Sequence, residues 1–488
     1  MSSLPVIFKK IAQLSQKYAT PAYVVGGFVR DWLLGREKEC PDIDIVVAGS
    51  GVTFAKQFDE ALKQAGSLVE FPDFDTARYV LPVSENETVE IEFAGARSEK
   101  YRETSRKPVV VHATLEQDLS RRDFTINAMA APAAVFAKAK APTKTAMLKE
   151  LVDPFNGLAD LKEKILRTPL DPDVTFSDDP LRMLRTARFA AELGFAIEPK
   201  ALEAIHRNRE RLKIISAERV QEELFKLLAA KAPSVGLILL FQTRALDVIL
   251  PEVANLDGVE EIYGHQHKNN LVHSFKVVDN VAEQSDKAWL RLAGLLHDIG
   301  KPGTKKFVSK IGWTFHGHEH LGKKMIYALA RRLKFSRDLT DYLAKLIRWH
   351  LQPISLMDEG TTDSAVRRLI VTMGDLIQDL LILGRSDITT GNPNKKERRL
   401  KNYDQLKIKI AEVLERDKLA AFQSPFRGDE IMSAAGLKPG PTIGKIKTAI
   451  EEAILDGVIP NEHSAAKKYF ESIKDAYLAG AAGWERAG

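Results

Sequence analysis

The pattern of apolar and polar positions changes character along the chain. Residues 22–25, Ala-Tyr-Val-Val, make a short β-prone run, and Gly26-Gly27 follows it. Glycine admits backbone angles that other residues avoid, so a tight turn is expected there. Residues 28–34 have helical spacing and stop at Gly35, a C-cap candidate. Residues 42–47, Asp-Ile-Asp-Ile-Val-Val, alternate and then run apolar, which predicts a buried strand. Further strands are expected at 77–83, 89–93 and 109–114. Residues 131–147, rich in Ala, Lys and Pro, read as an insertion or mobile loop. From about residue 178 the strand signal disappears. Pro180-Leu181 opens a helical pattern closed by Gly194, and Ser216 opens a second. Pro251, Gly258 and Gly264 suggest one later boundary, and Pro393 with the charged run 395–399 suggests another. The expectation is a multidomain α+β chain. A small mixed sheet with helices spans 1–150 and a helical neck 151–255. A histidine-rich helical domain follows at 256–400, and a helical tail at 401–488.

Composition narrows the class. A chain of 488 residues suggests roughly three domains. With 44% hydrophobic and 28% charged residues, disorder, collagen and a coiled-coil rod are excluded. The single cysteine, Cys40, excludes an intrachain disulfide and a cysteine-based zinc module. The N-terminal stretch has no signal-peptide core, and no apolar run approaches the ~20 residues of a membrane helix, so a cytoplasmic setting is expected. The balance of 71 basic against 66 acidic residues permits an anionic partner without demanding one. Histidine is more telling. Of 11 histidines, His265, His267, His273, His297, His316, His318, His320 and His350 fall within one short window, and none precedes His112. Two chemistries in two parts of the chain are expected.

The first chemistry gathers around Asp42 and Asp44. Two apart on a strand, they leave the same face and repel each other. A divalent cation between them removes that cost, and Mg²⁺ prefers such oxygen ligands. A pair of such ions could clamp an in-line phosphoryl displacement. Gly26 and Gly27, one short helix upstream, could offer backbone amides to phosphates.

The string GGFVRDWLLGREKECPDIDIVV resembles the head of class II tRNA nucleotidyltransferases, the CCA-adding enzymes of the DNA polymerase β superfamily. Bacterial poly(A) polymerases share this head. The resemblance continues in order through RRDFTINAMA (121–130), LVDPFNGLADLKEKILRT (151–168), DDPLRMLRTARF (178–189) and SAERVQEELFKLL (216–228). These look like the family's ribose-recognition motif, hinge, base-reading helix and supporting helix. The resemblance implies a polymerase β-like head with Asp42 and Asp44 as Mg²⁺ ligands. It also implies a third carboxylate on a neighbouring strand, for which Glu92 is the best match and Glu90 a competitor. Gly26, Gly27, Arg30, Asp31, Arg97, Arg121, Arg122, Asp123 and Asn127 would bind nucleotide. Arg102 and Arg106 would sit on a loop ordered by nucleotide. Asp179 and Arg182, three apart, would be neighbours on one helix face. Asp only accepts and Arg only donates hydrogen bonds. Cytosine and adenine both present an amino donor beside a ring-nitrogen acceptor, and guanine and uracil present the reverse. One Asp/Arg pair would therefore accept C and A alone. Asn156 stands where the family's hinge has glycine, and Asn tolerates positive φ.

The second chemistry is a histidine–aspartate set. His297-Asp298 ends an apolar helix, with His273 before it and His318, His350 and Asp387 after it. The order resembles the HD phosphohydrolase superfamily. Imidazoles with carboxylates suit a divalent transition metal such as Mn, Fe, Co, Ni or Zn. Phosphohydrolase activity is what the resemblance implies. His316 and His320 would support the ligands from behind or be incidental, and His265 and His267 would be surface residues.

Residues 426–461 resemble a tail of the same enzymes. The start of the helix after Pro439-Gly440-Pro441, with Lys438, Lys445 and Lys447, could hold an RNA phosphate. The expected activity is addition of C, C and A to tRNA 3′ ends from CTP and ATP. A poly(A) polymerase, or a CC-only or A-only enzyme, is the nearest rival. A phosphohydrolase with a non-catalytic RNA-binding head is a rival of another class.

Overall fold

A computed structural model describes residues 4–36, 41–84, 87–102, 105–137, 144–262, 265–266, 268–357, 362–417 and 424–486. Cys40 and His267 lie outside them. The chain divides into two compact units, Met1–Ala254 and Asn255–Gly488.

The first unit opens with α1 (Leu4–Lys17), β1 (Ala22–Val25), α2 (Gly27–Leu34), β2 (Ile43–Val47), α3 (Gly51–Ala61), β3 (Ser67–Phe71), β4 (Thr76–Pro82), β5 (Thr88–Gly95), β6 (Arg97–Arg102), β7 (Ser105–His112), α4 (Leu115–Ser120) and β8 (Ala130–Pro132). Six strands form one mixed sheet in the order β3-β4-β5-β2-β1-β8. Only β2 and β5 run parallel within it. The alternation in β2 explains its place. Ile43 and Ile45 go down into the core, while Asp44 stays solvent-accessible on the other face. Beneath the sheet, Phe54, Phe58, Tyr79 and Phe93 pack ring on ring at 5.1–5.7 Å. Truncating one such buried ring to alanine costs about 3–5 kcal/mol. Ser50 caps α3, and Gly35 ends α2 at φ 66° as its position predicts.

Three expectations need correction here. Residues 131–147 do not form a loop insertion over their described part. Residues 130–132 pair with β1, and Phe136 is buried against Phe8 and Phe28 at 5.2 Å. A helix, α5, follows at Lys144–Glu150. Alanine lets the chain pack closely, and low polarity there reflects burial rather than mobility. Residues 138–143 lie outside the described residues. Arg102 and Arg106 belong to the hairpin of β6 and β7, not to a loop. Strand structure also persists past residue 160 in short pairs. β9 (Ile165–Leu166) pairs with β10 (Ala196–Ile197), and 261–262 with 265–266 and 306–308 with 312–314 make two more. Pairs this short leave no detectable alternation.

Helices carry the rest of the unit: α6 (Gly157–Glu163), α7 (Pro172–Asp178), α8 (Leu181–Leu193), α9 (Pro199–Asn208), α10 (Ala217–Leu228) and α11 (Pro233–Gln242). Asn156 takes φ 59° at the start of α6, as its tolerance of the left-handed region predicts. Gly157 beside it cannot carry a side chain, since a Cβ would stand 2.2 Å from the Thr125 carbonyl oxygen. The segment 151–168 thus rests directly on the backbone of the segment 121–130. α8 joins the head core through Phe189, which meets Phe124 edge-on at 5.6 Å.

In the second unit, helices Asn270–Ala282, Ala288–Leu296, His318–Leu333, Arg337–Trp349 and Ile377–Ser386 carry the histidines and aspartates. The charged run 395–399 lies inside one 25-residue helix, Pro393–Asp417. The tail helices Pro441–Leu455 and His463–Ala479 share a core of Ile446, Ile450 and Phe470. The start of the first is not open to a phosphate. Glu485 accepts hydrogen bonds from the Thr442 amide and hydroxyl, both at 2.9 Å, and fills it. No described helix is long and apolar enough to cross a membrane.

Candidate active sites

The head site is built on the sheet face opposite the phenylalanine core. Asp44 and Glu92 stand opposite each other on parallel β2 and β5, and Asp42 immediately precedes β2. The register separates the two glutamate candidates. Glu92 is beside Asp44, whereas Glu90 is exposed and leans to Arg78 at 3.7 Å. Asp44 keeps some solvent access but is packed among its neighbours. Burial of the carboxyl raises its pKa, Arg122 opposes the rise, and the charge of Asp42 adds to it. Glu92 is raised as well, first by burial and then by Asp44. Carboxylates raised by burial and by a neighbouring carboxylate are short of positive charge, and this all-oxygen donor set fits Mg²⁺.

Gly26 turns at φ 72°, and a Cβ there would lie 2.9 Å from Arg122 Nη1 and 3.3 Å from Asp44 Oδ2. Its missing side chain is what lets the arginine approach the carboxylate. The Arg122 Nε is buried without a hydrogen-bond partner, a donor that a phosphate oxygen would satisfy. Gly27 begins α2 beside it. Asp118, wholly buried, holds both neighbouring arginines: Arg121 at 2.7 Å and Arg122 at 3.4 Å. Asp118 also accepts from the Arg97 amide at 3.4 Å. The Arg97 guanidinium donates to the Phe74 carbonyl and the Thr76 hydroxyl, at 2.6 and 2.7 Å.

Arg30 and Asp31 are not an open phosphate grip. Arg30 is buried, pairs with Asp31 at 2.8 and 2.9 Å, and donates to Asn127 Oδ1 at 2.9 Å. Asn127 donates to Asp123 Oδ1 at 2.9 Å, and Arg185 of α8 closes on Asp123 Oδ2 at 2.6 Å. Burial would raise the Asp123 pKa, but Arg185 and Asn127 outweigh it and hold the carboxyl at about 2.

Asp179 and Arg182 do not share a helix face as their spacing suggested. Asp179 is extended, at φ −131°, and its Oδ1 accepts from the Leu181 amide at 3.1 Å. It stands before α8, capping its first turn, because Pro180 disfavours helical backbone at the residue preceding it. Arg182 is buried and donates to the carbonyls of Thr175 at 3.2 Å and Arg121 at 2.5 Å. The two reading candidates are thus locked by backbone partners, one on each side of the α8 start.

The described groups of the second unit meet at Asp298. Its Oδ2 lies 3.1 Å from His297 Nε2 and 3.4 Å from His273 Nε2, and its Oδ1 lies 3.3 Å from His318 Nε2 and 3.8 Å from His350 Nε2. Asp387 stands 2.9 Å from His273 Nε2. The atoms form two groups able to hold an ion, His273–His297–Asp298 and Asp298–His318–His350. The outer nitrogens explain the aim of the rings. Nδ1 of His297, His318 and His350 donates to the carbonyls of Gly294, Phe315 and Ile347 at 2.7–2.9 Å. A carbonyl only accepts, so each neutral ring keeps its Nε2 lone pair facing inward. His273 Nδ1 instead meets the Thr389 hydroxyl at 2.7 Å.

The electrostatics ask for a cation here too. Burial would lower the His297 pKa, but Asp298 and Asp387 overcome it and hold the ring at about 10. Burial and the His297 charge push His350 down to about 4. With no ion bound, the charge on His297 and that of Lys301, whose Nζ lies 2.5 Å from Asp298, answer these aspartates; a bound cation would take over that role and leave the ring neutral. The donor set of imidazoles and carboxylates fits a transition metal. His316 and His320 are exposed, outside this cluster, and the side chains of His265 and His267 lie outside the described residues.

Sequence reasoning missed Asp118, Arg185 and Thr389. Arg185 had a signal, one helical turn beyond Arg182. Asp118 had a weaker one, three residues before Arg121.

The comparisons with known proteins agree with this geometry. Residues 22–167 match the Poly A polymerase head domain, 194–256 the "Probable RNA and SrmB- binding site of polymerase A", and 270–406 the HD domain. The multifunctional CCA protein of Pseudomonas fluorescens (strain Pf0-1) is 35% identical over 339 residues, 67% of this chain and 74% of that one. The CC-adding tRNA nucleotidyltransferase of Thermus thermophilus is 29% identical over 470 residues, 93% of this chain and 95% of that one. The Bacillus stearothermophilus CCA-adding enzyme, solved in complex with CTP, shares the fold at a TM-score of 0.65 and 20% identity, covering 99% of this chain and 100% of that one. Carboxylates, glycine turn and histidine cluster occur in one chain with this extent of likeness, and the chain belongs to the CCA-adding tRNA nucleotidyltransferase family.

Proposed function

We propose that the chain adds C, C and A to tRNA 3′ ends from CTP and ATP. The observation that carries this is Asp44 and Glu92 in register, with Gly26 and Arg122 against them. Asp42, Asp44 and Glu92 would hold Mg²⁺, which would supply positive charge for the phosphates and for the attacking 3′ oxygen. The tRNA 3′ oxygen bonds to the α-phosphorus, and pyrophosphate leaves. Arg122, steadied by Asp118, meets the triphosphate, with Arg121 beside it. Asn127, aimed by Asp123 and Arg30, meets the ribose. Asp179 accepts from the base amino group, and Arg182 donates to the ring nitrogen. The four-part division at about 150, 255 and 400 belongs to this reading, as does a cytoplasmic location. tRNA lacking CCA, offered CTP, ATP or both, tests it. Growth by three residues only with both nucleotides supports it. Growth by C alone, or by A alone, identifies a partial enzyme, and a long A tract a poly(A) polymerase.

The histidine cluster supports a second, phosphoester-hydrolysing activity. Its reading as a site for two transition-metal ions sharing Asp298 rests on the split of the two carboxylate oxygens between two histidine pairs. A bound metal makes hydroxide available near neutral pH. Metal in the second unit with no nucleotide transfer by the whole chain would favour a phosphohydrolase with a non-catalytic head.

A further inference from the structure

We propose that Arg185 is a positioning residue that sets nucleotide selection, by fixing the base-reading residues to the ribose motif. This rests on the nucleotidyltransferase reading of the head. Arg185 lies one turn past Arg182 on α8, and its Nε and Nη2 both close on Asp123 Oδ2, at 2.8 and 2.6 Å. The other oxygen of Asp123 accepts from Asn127 and from the Phe124 amide, both at 2.9 Å. Asn127 in turn accepts from Arg30. One continuous chain of charge-assisted hydrogen bonds therefore runs from α2, through the ribose motif, into the helix that begins with the reading pair.

Selection by hydrogen-bond pattern needs donor and acceptor held within about 0.5 Å and 10–20° of their working geometry. A cytosine and a uracil differ only in which atoms donate, so a helix start free to shift by that much would accept both. Side-chain links among the described residues tie this start to the head, and Arg182 and Arg185 each supply one. One, Arg182 to the Arg121 carbonyl, belongs to a reading residue itself. The other is Arg185, which reads no base and acts through Asp123. Its positive charge also opposes the rise at Asp44.

Arg188 supplies a matched comparison within the same helix. It pairs at 2.8 Å with Glu223, which also lies 3.8 Å from Arg185, and its guanidinium lies over the Phe189 ring at 4.0 Å. Its second partner is Glu192, at 3.0 Å, and not Asp123. Losing Arg188 removes buried ion pairs of α8 without cutting the link to the ribose motif.

The test measures kcat and KM for CTP, ATP, UTP and GTP on tRNA lacking CCA, with thermal midpoints, for wild type, Arg185→Ala, Arg185→Lys and Arg188→Ala. In Arg185→Ala, KM for CTP and ATP should rise about tenfold, and preference for CTP over UTP and for ATP over GTP should fall about tenfold, the scale of one charge-assisted hydrogen bond. The kcat for CTP should stay within about threefold, since no group touching the reacting atoms changes. Arg185→Lys keeps the charge but not the two-pronged grip, so it should recover the thermal midpoint and not the preference. Arg188→Ala should lose thermal stability and keep the preference. A folded Arg185→Ala or Arg185→Lys with wild-type preference overturns the proposal. So does equal loss of preference in Arg188→Ala, which would mean general loosening of α8. Wild type that incorporates neither CTP nor ATP overturns the reading beneath it, and is seen before any variant is compared.

Discussion

Asp44 and Glu92 face each other across two parallel strands whose sequence positions are separated by a helix and a hairpin. Both carboxyls are pushed up, each first by burial, and like charge adds to the rise: Asp42 at Asp44, and Asp44 at Glu92. The pair is therefore a site of function held against stability. Asp44→Asn should reduce nucleotide incorporation by at least ~10³-fold, the upper range for losing one preorganised electrostatic partner. Its thermal midpoint without Mg²⁺ should equal or exceed that of wild type, because a repulsion has been removed. An active, well-folded variant would remove Asp44 from the chemistry.

Base choice should change when Asp179 or Arg182 is altered. Asp179→Ala removes the acceptor facing an amino group, so discrimination against UTP and GTP should weaken by about 1–3 kcal/mol, by analogy with direct readout. Arg182→Ala should weaken CTP and ATP together. It also strips the Thr175 and Arg121 carbonyls of a donor, costing on the order of 1–3 kcal/mol of stability. The rank order of all four nucleotides, measured by kcat/KM, separates reading from support. An unchanged ranking with uniform losses would move base selection elsewhere.

Acid should loosen the head through Asp123. Its folded pKa of about 2 lies below the unfolded value of 3.8. The stabilisation is therefore complete above the unfolded pKa and fades as pH falls through the folded one. It amounts to on the order of 2 kcal/mol. Urea midpoints from pH 6 down to pH 2 should show a fall in wild type that is shallower in Asp123→Asn. Parallel curves would mean that the ion pair with Arg185 contributes nothing net.

Metal stoichiometry can be read one residue at a time. Elemental analysis after dialysis against Ni²⁺ with excess Mg²⁺, which occupies the all-oxygen head site, should give two Ni²⁺ per wild-type chain, one for His318→Ala and none for Asp298→Ala. A single ion in wild type would contradict the shared-carboxylate reading. Thr389→Val leaves the His273 Nδ1 without its partner, and affinity should fall about 10–100-fold at that half alone. Isothermal titration resolves the two halves.

What the sequence made legible were features fixed by neighbours along the chain. Gly35 and Gly194 end their helices in the left-handed region, Asn156 takes its positive φ, and Ile43 and Ile45 turn inward beside Asp44. What escaped were relationships closed in space. Arg185 and Asp123 are 62 residues apart and Thr389 lies 116 residues from His273. Neither separation leaves a periodicity. The placing of Asp179 on a helix face failed for a local reason: helical spacing was extended backward across Pro180. Glu485 was missed because a helix start looks open until the rest of the chain is known.

The sheet order has a consequence for how the head is assembled. β1 carries the glycine turn and lies between β2, which follows it closely, and β8, which begins only at Ala130. A chain emerging from the ribosome can thus pair β1 with β2 long before β8 exists. Asp44 is then presented on a half-finished sheet whose far edge is bare. Arg122, Asp123 and Asn127 immediately precede β8 and arrive with it. Such late, distant pairing is the slow part of folding. On the proposed reading those three residues meet the nucleotide, so a ligand that binds them would favour the state in which the last strand is home.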